Sequence, residues 1–293
     1  MPLSALPSHA MPRSHPARTD AGIDTSIPAL NVTKDDEWEF IWDQYGTEMM
    51  PLTAHIPFMT TVGNHESFYN FTAFRHRYPM PSGGNGNFWF SYNHGGVHFS
   101  SVSTEHDYTV GSPQWQWLAA DLQLASAPEQ RAKVPWIVVV GHRPMYCSDA
   151  SEYSAHVAGA PFQSAIEPLL LNARVDVMMT GHEHGYERIH PTKNGSVVSR
   201  PVAAPSGAQQ LYRDPTAPLG VMLGSAGGLQ EDHWVNPAPP WSAFRVTATI
   251  EKPRDGYGYV MMTVEGSTRL RFEFRPLSLG GNASDTFEIE KQA

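Results

Sequence analysis

Val134-Pro135-Trp136-Ile137-Val138-Val139-Val140-Gly141-His142 is an apolar, largely β-branched run that stops at a glycine and a histidine. Two further stretches follow the same grammar. Ile56-Pro57-Phe58-Met59-Thr60-Thr61-Val62 leads into Gly63-Asn64-His65-Glu66, and Val175-Asp176-Val177-Met178-Met179-Thr180 leads into Gly181-His182-Glu183-His184. Short apolar runs bounded by glycine read as buried strands, so each histidine motif stands where a strand gives way to a loop. In an open α/β sheet the carboxyl ends of parallel strands gather along one edge, where ligands bind. Three widely separated motifs then converge there. Imidazole nitrogen and amide oxygen are ordinary ligands for zinc, iron or manganese, so convergence makes a metal site. His182 and His184 lie two apart in the sequence. In an extended segment they point the same way, and each can take one of two ions roughly 3.5 to 4 Å apart.

Around these motifs the chain reads as one elaborated α/β domain. Residues 1–35 are rich in proline and serine without hydrophobic periodicity, which predicts a poorly ordered front. Trp38 to Gln44 and Thr47 to Met50 predict helix. Pro81-Ser82-Gly83-Gly84-Asn85-Gly86 is turn chemistry. Gln114 to Leu124 carries Trp117, Leu118, Leu122 and Leu124 at amphipathic helical spacing, and Phe162 to Leu171 predicts a second helix that serves as core scaffold. Strands are expected at Gly220 to Leu223, Gly258 to Val264 and Thr268 to Phe274.

At 293 residues with 41% hydrophobic content, the chain has ample material for one or two cores. The formal charge of −9 argues against a nucleic-acid partner but not against a phosphate substrate, because bound cations reverse the sign locally. No apolar stretch approaches the roughly 20 residues of a membrane span, and no run of signal-peptide length opens the sequence. Asn-x-Ser/Thr sequons at Asn31, Asn70, Asn194 and Asn282 favour a secretory history. Cys147 is the only cysteine, which excludes an internal disulfide.

Longer stretches carry a family resemblance. Asn87-Phe88-Trp89-Phe90-Ser91-Tyr92 followed by Gly96-Val97-His98-Phe99, then Gly111-Ser112-Pro113-Gln114-Trp115-Gln116-Trp117-Leu118, stand between the first two histidine motifs. Gly141-His142-Arg143-Pro144-Met145-Tyr146-Cys147-Ser148 and Gly181-His182-Glu183-His184-Gly185-Tyr186-Glu187-Arg188 follow. In order and wording these resemble the calcineurin-like metallophosphoesterases, and within them the purple acid phosphatases. The resemblance runs from about Trp38 to Asp285-Thr286-Phe287-Glu288-Ile289. It implies a β-sandwich of mixed sheets flanked by helices, with a metallophosphoesterase domain over 36–210 and the C-terminal region of a purple acid phosphatase over 211–293.

The resemblance further implies hydrolysis of phosphate monoesters by metal-bound hydroxide at a binuclear centre, Fe3+ with Zn2+, Mn2+ or Fe2+. By it, Asn64, His142 and His182 ligate the divalent ion and His184 the ferric one. His65 is the catalytic residue, binding substrate or donating a proton to the leaving group, for which an imidazole with its ordinary pKa near 6.5 is suited. Glu66 orients it, and His156 approaches the substrate. Arg143 and Tyr146 are expected to hold the loop rather than to touch phosphate. A secreted or lysosomal setting and a small phosphate ester as partner follow from the same likeness.

The sequence departs from the family at its front. The family opens with an Asp-x-Gly strand and a Gly-Asp-x-x-Tyr strand, which supply a ligand, the bridging aspartate and the ferric-binding tyrosine. No Gly-Asp dipeptide occurs here, and Asp20-Ala21-Gly22 lies in a proline-rich stretch without strand character. The chain therefore reads as truncated relative to the family, lacking its first strands and retaining ligands for about one divalent ion. Two alternatives stay open: an inactive phosphatase-like binding protein, and a phosphodiester or pyrophosphate hydrolase of the same fold.

Overall fold

A computed structural model describes residues 39–227, 233–246 and 256–292. The expectation of a loose front over residues 1–35 lies outside the described residues. The chain divides into two compact units, Met1–Phe58 with Asn64–Arg77, and Met59–Gly63 with Tyr78–Ala293.

In the first unit the two predicted helical pieces form one helix, α1 (Glu39–Thr53), and a short α2 spans Thr72–Arg77. An exposed Arg77–Asp43 ion pair of 2.8 Å joins them, worth at most about 1 kcal/mol at the surface. Asn64–Glu66 forms a 3-10 turn. Ser67 Oγ donates to the Asn64 carbonyl at 2.8 Å and closes it.

The second unit holds thirteen strands and three helices among the described residues. In chain order they are β1 (Phe90–His94), β2 (Val97–Ser101), α3 (Pro113–Ser126), α4 (Pro128–Arg131), β3 (Trp136–Val140), α5 (Pro161–Asn172), β4 (Val177–Thr180) and β5 (Tyr186–Ile189). Then come β6 (Thr192–Lys193), β7 (Ser196–Val197), β8 (Gln210–Arg213), β9 (Leu219–Leu223), β10 (Ser242–Val246), β11 (Gly258–Glu265), β12 (Arg269–Pro276) and β13 (Asp285–Glu290). A seven-stranded sheet runs β1-β2-β3-β4-β9-β5-β10, and a four-stranded sheet runs β11-β12-β13-β8. β2, β3, β4 and β9 are mutually parallel, while β1, β5 and β10 are antiparallel to their neighbours.

The continuous apolar character of β3 has a direct cause, since successive side chains of a strand point to opposite faces and both faces here are covered. Ile137 and Val139 pack in one core with Leu118 and Leu122 of α3 and Phe162, Ile166 and Leu170 of α5. Trp136 and Val138 pack in the other with Leu270, Phe272, Phe274, Phe287 and Ile289 of the second sheet. Each fully buried side chain of this size contributes about 1.5–3 kcal/mol. The architecture is the expected α/β sandwich of mixed sheets with helices on an outer face. Ser112 caps α3, its Oγ accepting from Trp115 N–H at 3.2 Å.

Arg188 ties the two sheets together. It is fully buried, donates from Nε and Nη2 to Asp285 at 2.8 and 3.1 Å, and gives its remaining arm to Gln210 and Tyr212. Tyr186 Oη donates to the same Asp285 carboxylate at 2.8 Å.

Two expectations need correction. The run Ile56 to Val62 is not a strand: residues 57–63 carry no ladder, and Thr61 Oγ1 donates instead to Val102 O at 3.1 Å. β2 already has β1 and β3 on its two sides, so the sheet offers no free neighbour there. Next, the segment through His182 is not extended, because His182 adopts φ 71°. Tyr186 to Ile189, for which the sequence suggested no element, forms the buried strand β5. No helix among the described residues is long and apolar enough to cross a membrane.

Candidate metal centre

β3 and β4 are adjacent and parallel, with Val140 beside Met179, so the residues that follow them emerge together at the same edge. Gly141 N–H donates to Met179 O at 3.0 Å and Gly181 N–H to His142 O at 2.8 Å, which carries the pairing past the strand ends. His142 and His182 therefore meet. His142 Nε2 lies 3.1 Å from His182 Nδ1, with the rings edge to face at 71°. Gly63 backs this pair, since a Cβ there would stand 2.8 Å from the His142 ring.

Beyond His182 the loop is tight. Gly185 N–H donates to Glu183 O at 2.8 Å and Gly224 N–H to Gly185 O at 3.0 Å. The end of β9 thus fixes the loop's shape.

On the other ring edge of His182, Nε2 lies 3.1 Å from Glu152 Oε2 and 3.9 Å from Glu183 Oε1. His156 Nε2 stands 3.6 Å from Glu183 Oε1 and 3.8 Å from Glu152 Oε2. These four ligand atoms lie within 4.8 Å of one another. His156 and Glu183 are buried, and neither His156 Nε2 nor Glu183 Oε1 has a hydrogen-bond partner among the described residues. His156 Nδ1, by contrast, is 2.7 Å from Pro144 O, an acceptor that fixes the ring proton on Nδ1.

Arg143 closes the rim. Its Nη1 lies 3.0 Å from both Glu152 Oε2 and His182 Nε2, and its Nε donates to Glu105 Oε1 at 3.0 Å. Burial, and then the Arg143 charge, push the His182 imidazole down despite two nearby carboxylates, which favours the neutral form a metal ligand needs. Burial tends to raise the Glu152 carboxyl, but its hydrogen bond with His182 and the charges around it hold it below the ordinary range. Tyr146 Oη donates to buried Glu167 at 2.7 Å and accepts from Gly195 N–H, so it braces the structure behind this loop.

Of the residues singled out from the sequence, His142, His156 and His182 come together in the second unit, with His184 two residues further along the same loop. Asn64, His65 and Glu66 form the 3-10 turn of the first unit. Glu152 and Glu183 were missed. The available signals were the placement of Glu183 between two motif histidines and the four-residue step from Glu152 to His156.

The signature of the calcineurin-like phosphoesterases matches residues 31–186, and that of the iron/zinc purple acid phosphatase-like C-terminal region matches residues 217–281. Fold and histidine-lined strand edge together define a metallophosphoesterase architecture. The chain belongs to the calcineurin-like phosphoesterase family and carries the C-terminal region of its purple acid phosphatases. It is similar to acid phosphatase type 7 of Danio rerio, 34% identical over 251 residues that make up 80% of this chain and 53% of that protein. The human acid phosphatase type 7 is 32% identical over 271 residues, 87% of this chain and 57% of that protein. The chain thus spans about half the length of the curated relatives it matches. The structure of a purple acid phosphatase from yellow lupin seeds shares the fold with a TM-score of 0.71, at 24% identity over 86% of this chain and 43% of that one.

Proposed function

We propose that this chain contributes a metal-dependent phosphate monoester hydrolase activity of the acid phosphatase type. One observation carries the reading: the facing His142 Nε2 and His182 Nδ1, 3.1 Å apart at the ends of neighbouring parallel strands. Ligand atoms about 2.0–2.1 Å from a common zinc-sized ion, set tetrahedrally, stand roughly 3.3–3.4 Å from one another. The pair therefore fits one edge of a coordination polyhedron. In this reading Asn64 would join them on one divalent ion; the family's centre is binuclear, Fe3+ with Zn2+, Mn2+ or Fe2+, and of the second ion's ligands this chain keeps His184 alone. When bound, such ions neutralise the phosphate and make water acidic enough to attack it near neutral pH.

The remaining roles belong to side chains. With both His142 Nε2 and His182 Nδ1 directed at an ion, His182 keeps its proton on Nε2 and donates it to Glu152, the carboxylate support that ligating histidines generally have. His65 lies beside the phosphate and passes a proton to the leaving group, with Glu66 orienting it. His156 approaches the substrate with its Nε2 edge, since Nδ1 is committed to Pro144 O. The domain limits 36–210 and 211–293 and a secretory setting belong to the same proposal. The latter is supported by the exposed position of the sequon residues Asn70, Asn194 and Asn282.

Activity of the chain alone is impaired in this reading, because the bridging aspartate is not among its residues, so the test is turnover of an aryl phosphate by the metal-loaded chain supplied with the family's Asp-x-Gly and Gly-Asp-x-x-Tyr segment, and by His182→Ala in that protein. Metal-dependent hydrolysis that falls to background in the variant is expected. No turnover by the loaded protein with that segment supplied, or turnover that survives His182→Ala in it, refutes the reading.

A further inference from the structure

The cluster on the Nε2 side of His182 has features that the paired histidines do not explain. Glu183 is 4% exposed and His156 2% exposed, yet each directs into the cluster a polar atom that finds no hydrogen bond among the described residues. A buried polar atom left unpaired costs about 1–3 kcal/mol, and a charged one more. Two such atoms 3.6 Å apart are the pattern of a site built to share a ligand.

The chemistry of that ligand follows from the donors. His156 Nδ1–H is held by Pro144 O at 2.7 Å, so the neutral ring presents a lone pair at Nε2, as a metal-ligating histidine backed by a carbonyl does. Glu152 and Glu183 present carboxylate oxygens, and His182 presents Nε2. Arg143 Nη1 serves two of these atoms, Glu152 Oε2 and His182 Nε2, at 3.0 Å, while His156 Nε2 and Glu183 Oε1 have no donor among the described residues; such a set of lone pairs calls for a cation. Four of the six edges of the cluster are 3.1, 3.6, 3.8 and 3.9 Å, and no edge exceeds 4.8 Å. A tetrahedron with zinc-length bonds of about 2.0–2.1 Å has edges of roughly 3.3–3.4 Å, so the set closes on such an ion with small side-chain shifts. Two carboxylates balance a double positive charge, and a donor set of two nitrogens and two oxygens suits zinc, manganese or ferrous iron. Glu152, with its side chain 41% exposed, leaves the way in from solvent.

We propose that Glu152, His156, His182 and Glu183 form a divalent-cation cage, separate from the coordination between His142 and His182. This rests on the proposed catalytic reading only in sharing His182. A neutral imidazole has one lone pair, so His182 serves the cage through Nε2 or an ion beside His142 through Nδ1, one at a time. Filling the cage also takes His156 from the substrate. The cage therefore competes with the catalytic arrangement, and excess metal is inhibitory through these four residues. Arg143, whose Nη1 now points between Glu152 and His182, is a third exposed and held to Glu105, so this arm swings out as the cation enters.

The experiment is titration of the full chain with Zn2+ by calorimetry and with Co2+ by visible absorption, alongside Glu183→Gln, His156→Gln, Glu152→Gln and His142→Ala. Circular dichroism melts check folding, and the half-exposed Glu152→Gln serves if a buried variant fails to fold. One ion per chain with an intense tetrahedral Co2+ spectrum is expected in the wild type and in His142→Ala. Glu183→Gln, His156→Gln and Glu152→Gln should each weaken binding about tenfold or more. No binding by the wild type overturns the cage. So does binding that His142→Ala abolishes while the glutamine variants retain it. Phosphatase turnover is not read in this experiment, so the cage and the catalytic proposal fail independently.

Discussion

Gly224→Ala perturbs the loop that carries His182, Glu183 and His184 without altering any candidate ligand. A Cβ at residue 224 would stand 1.8 Å from the Glu183 carbonyl oxygen, 2.7 Å from its carbonyl carbon and 3.2 Å from His184 Cα. Carbon–oxygen contacts settle at roughly 3.3 Å or beyond, so the Glu183 peptide must retreat by roughly 1.5 Å. It cannot do so freely, because Gly224 N–H holds Gly185 O and Gly185 N–H holds Glu183 O. Inserting one methyl group into a packed site costs about 1–3 kcal/mol, and a clash of backbone on backbone belongs at the upper end. Ligand atoms must be held within about 0.5 Å of working geometry, so the same shift should lower Zn2+ affinity about tenfold or more. Gly46→Ala is the control. It lies inside α1 with nothing within 4 Å of the added Cβ, and alanine there should stabilise by about 0.5–1 kcal/mol. Urea unfolding and calorimetric Zn2+ titration measure both effects. A Gly224→Ala protein that unfolds at the wild-type midpoint and binds Zn2+ with wild-type affinity refutes the reasoning.

Asp285→Asn strands the buried Arg188 charge between the sheets and should cost about 3–5 kcal/mol in urea unfolding, whereas Asp285→Leu with Arg188→Met should come much closer to wild type; equal losses would disprove the buried-charge account. Burial, with Arg200 and Arg188 nearby, pushes the His190 imidazole down to about 4, and its Nδ1 faces Tyr212 Oη at 2.7 Å. The unfolded chain then binds a proton that the folded chain refuses, so this stabilisation is complete above about pH 6.5 and is lost as pH falls towards 4. His190→Gln should flatten the fall of the unfolding midpoint across that window, and an unchanged slope counts against it. Arg143→Gln removes the guanidinium that competes for Glu152 and His182, so Zn2+ affinity should rise, and a fall would mean that Arg143 supports the ligands.

What was legible in the sequence follows the physics of each stretch. β3 was plain because both of its faces are buried, leaving no polar residue to blur the run, β4 nearly so with Thr180 alone at its end, and the histidines after them inherit the parallel pairing. β5 was not, because Glu187 and Arg188 look like loop residues until their partners are known. Ser148 gives Glu187 two hydrogen bonds from across 39 residues, and Asp285 meets Arg188 from across 97. Ile56 to Val62 failed in the opposite way, since an apolar run becomes a strand only where a neighbour offers a ladder. The His-x-His reading rested on an extended backbone, in which His182 and His184 share a side and Glu183 faces away. The observed φ of 71° at His182 breaks that alternation. Consecutive residues now contribute to one cluster, with His182 Nε2 3.9 Å from Glu183 Oε1. The turn that defeats the strand-based expectation is the same turn that brings the overlooked carboxylate to the metal-binding side.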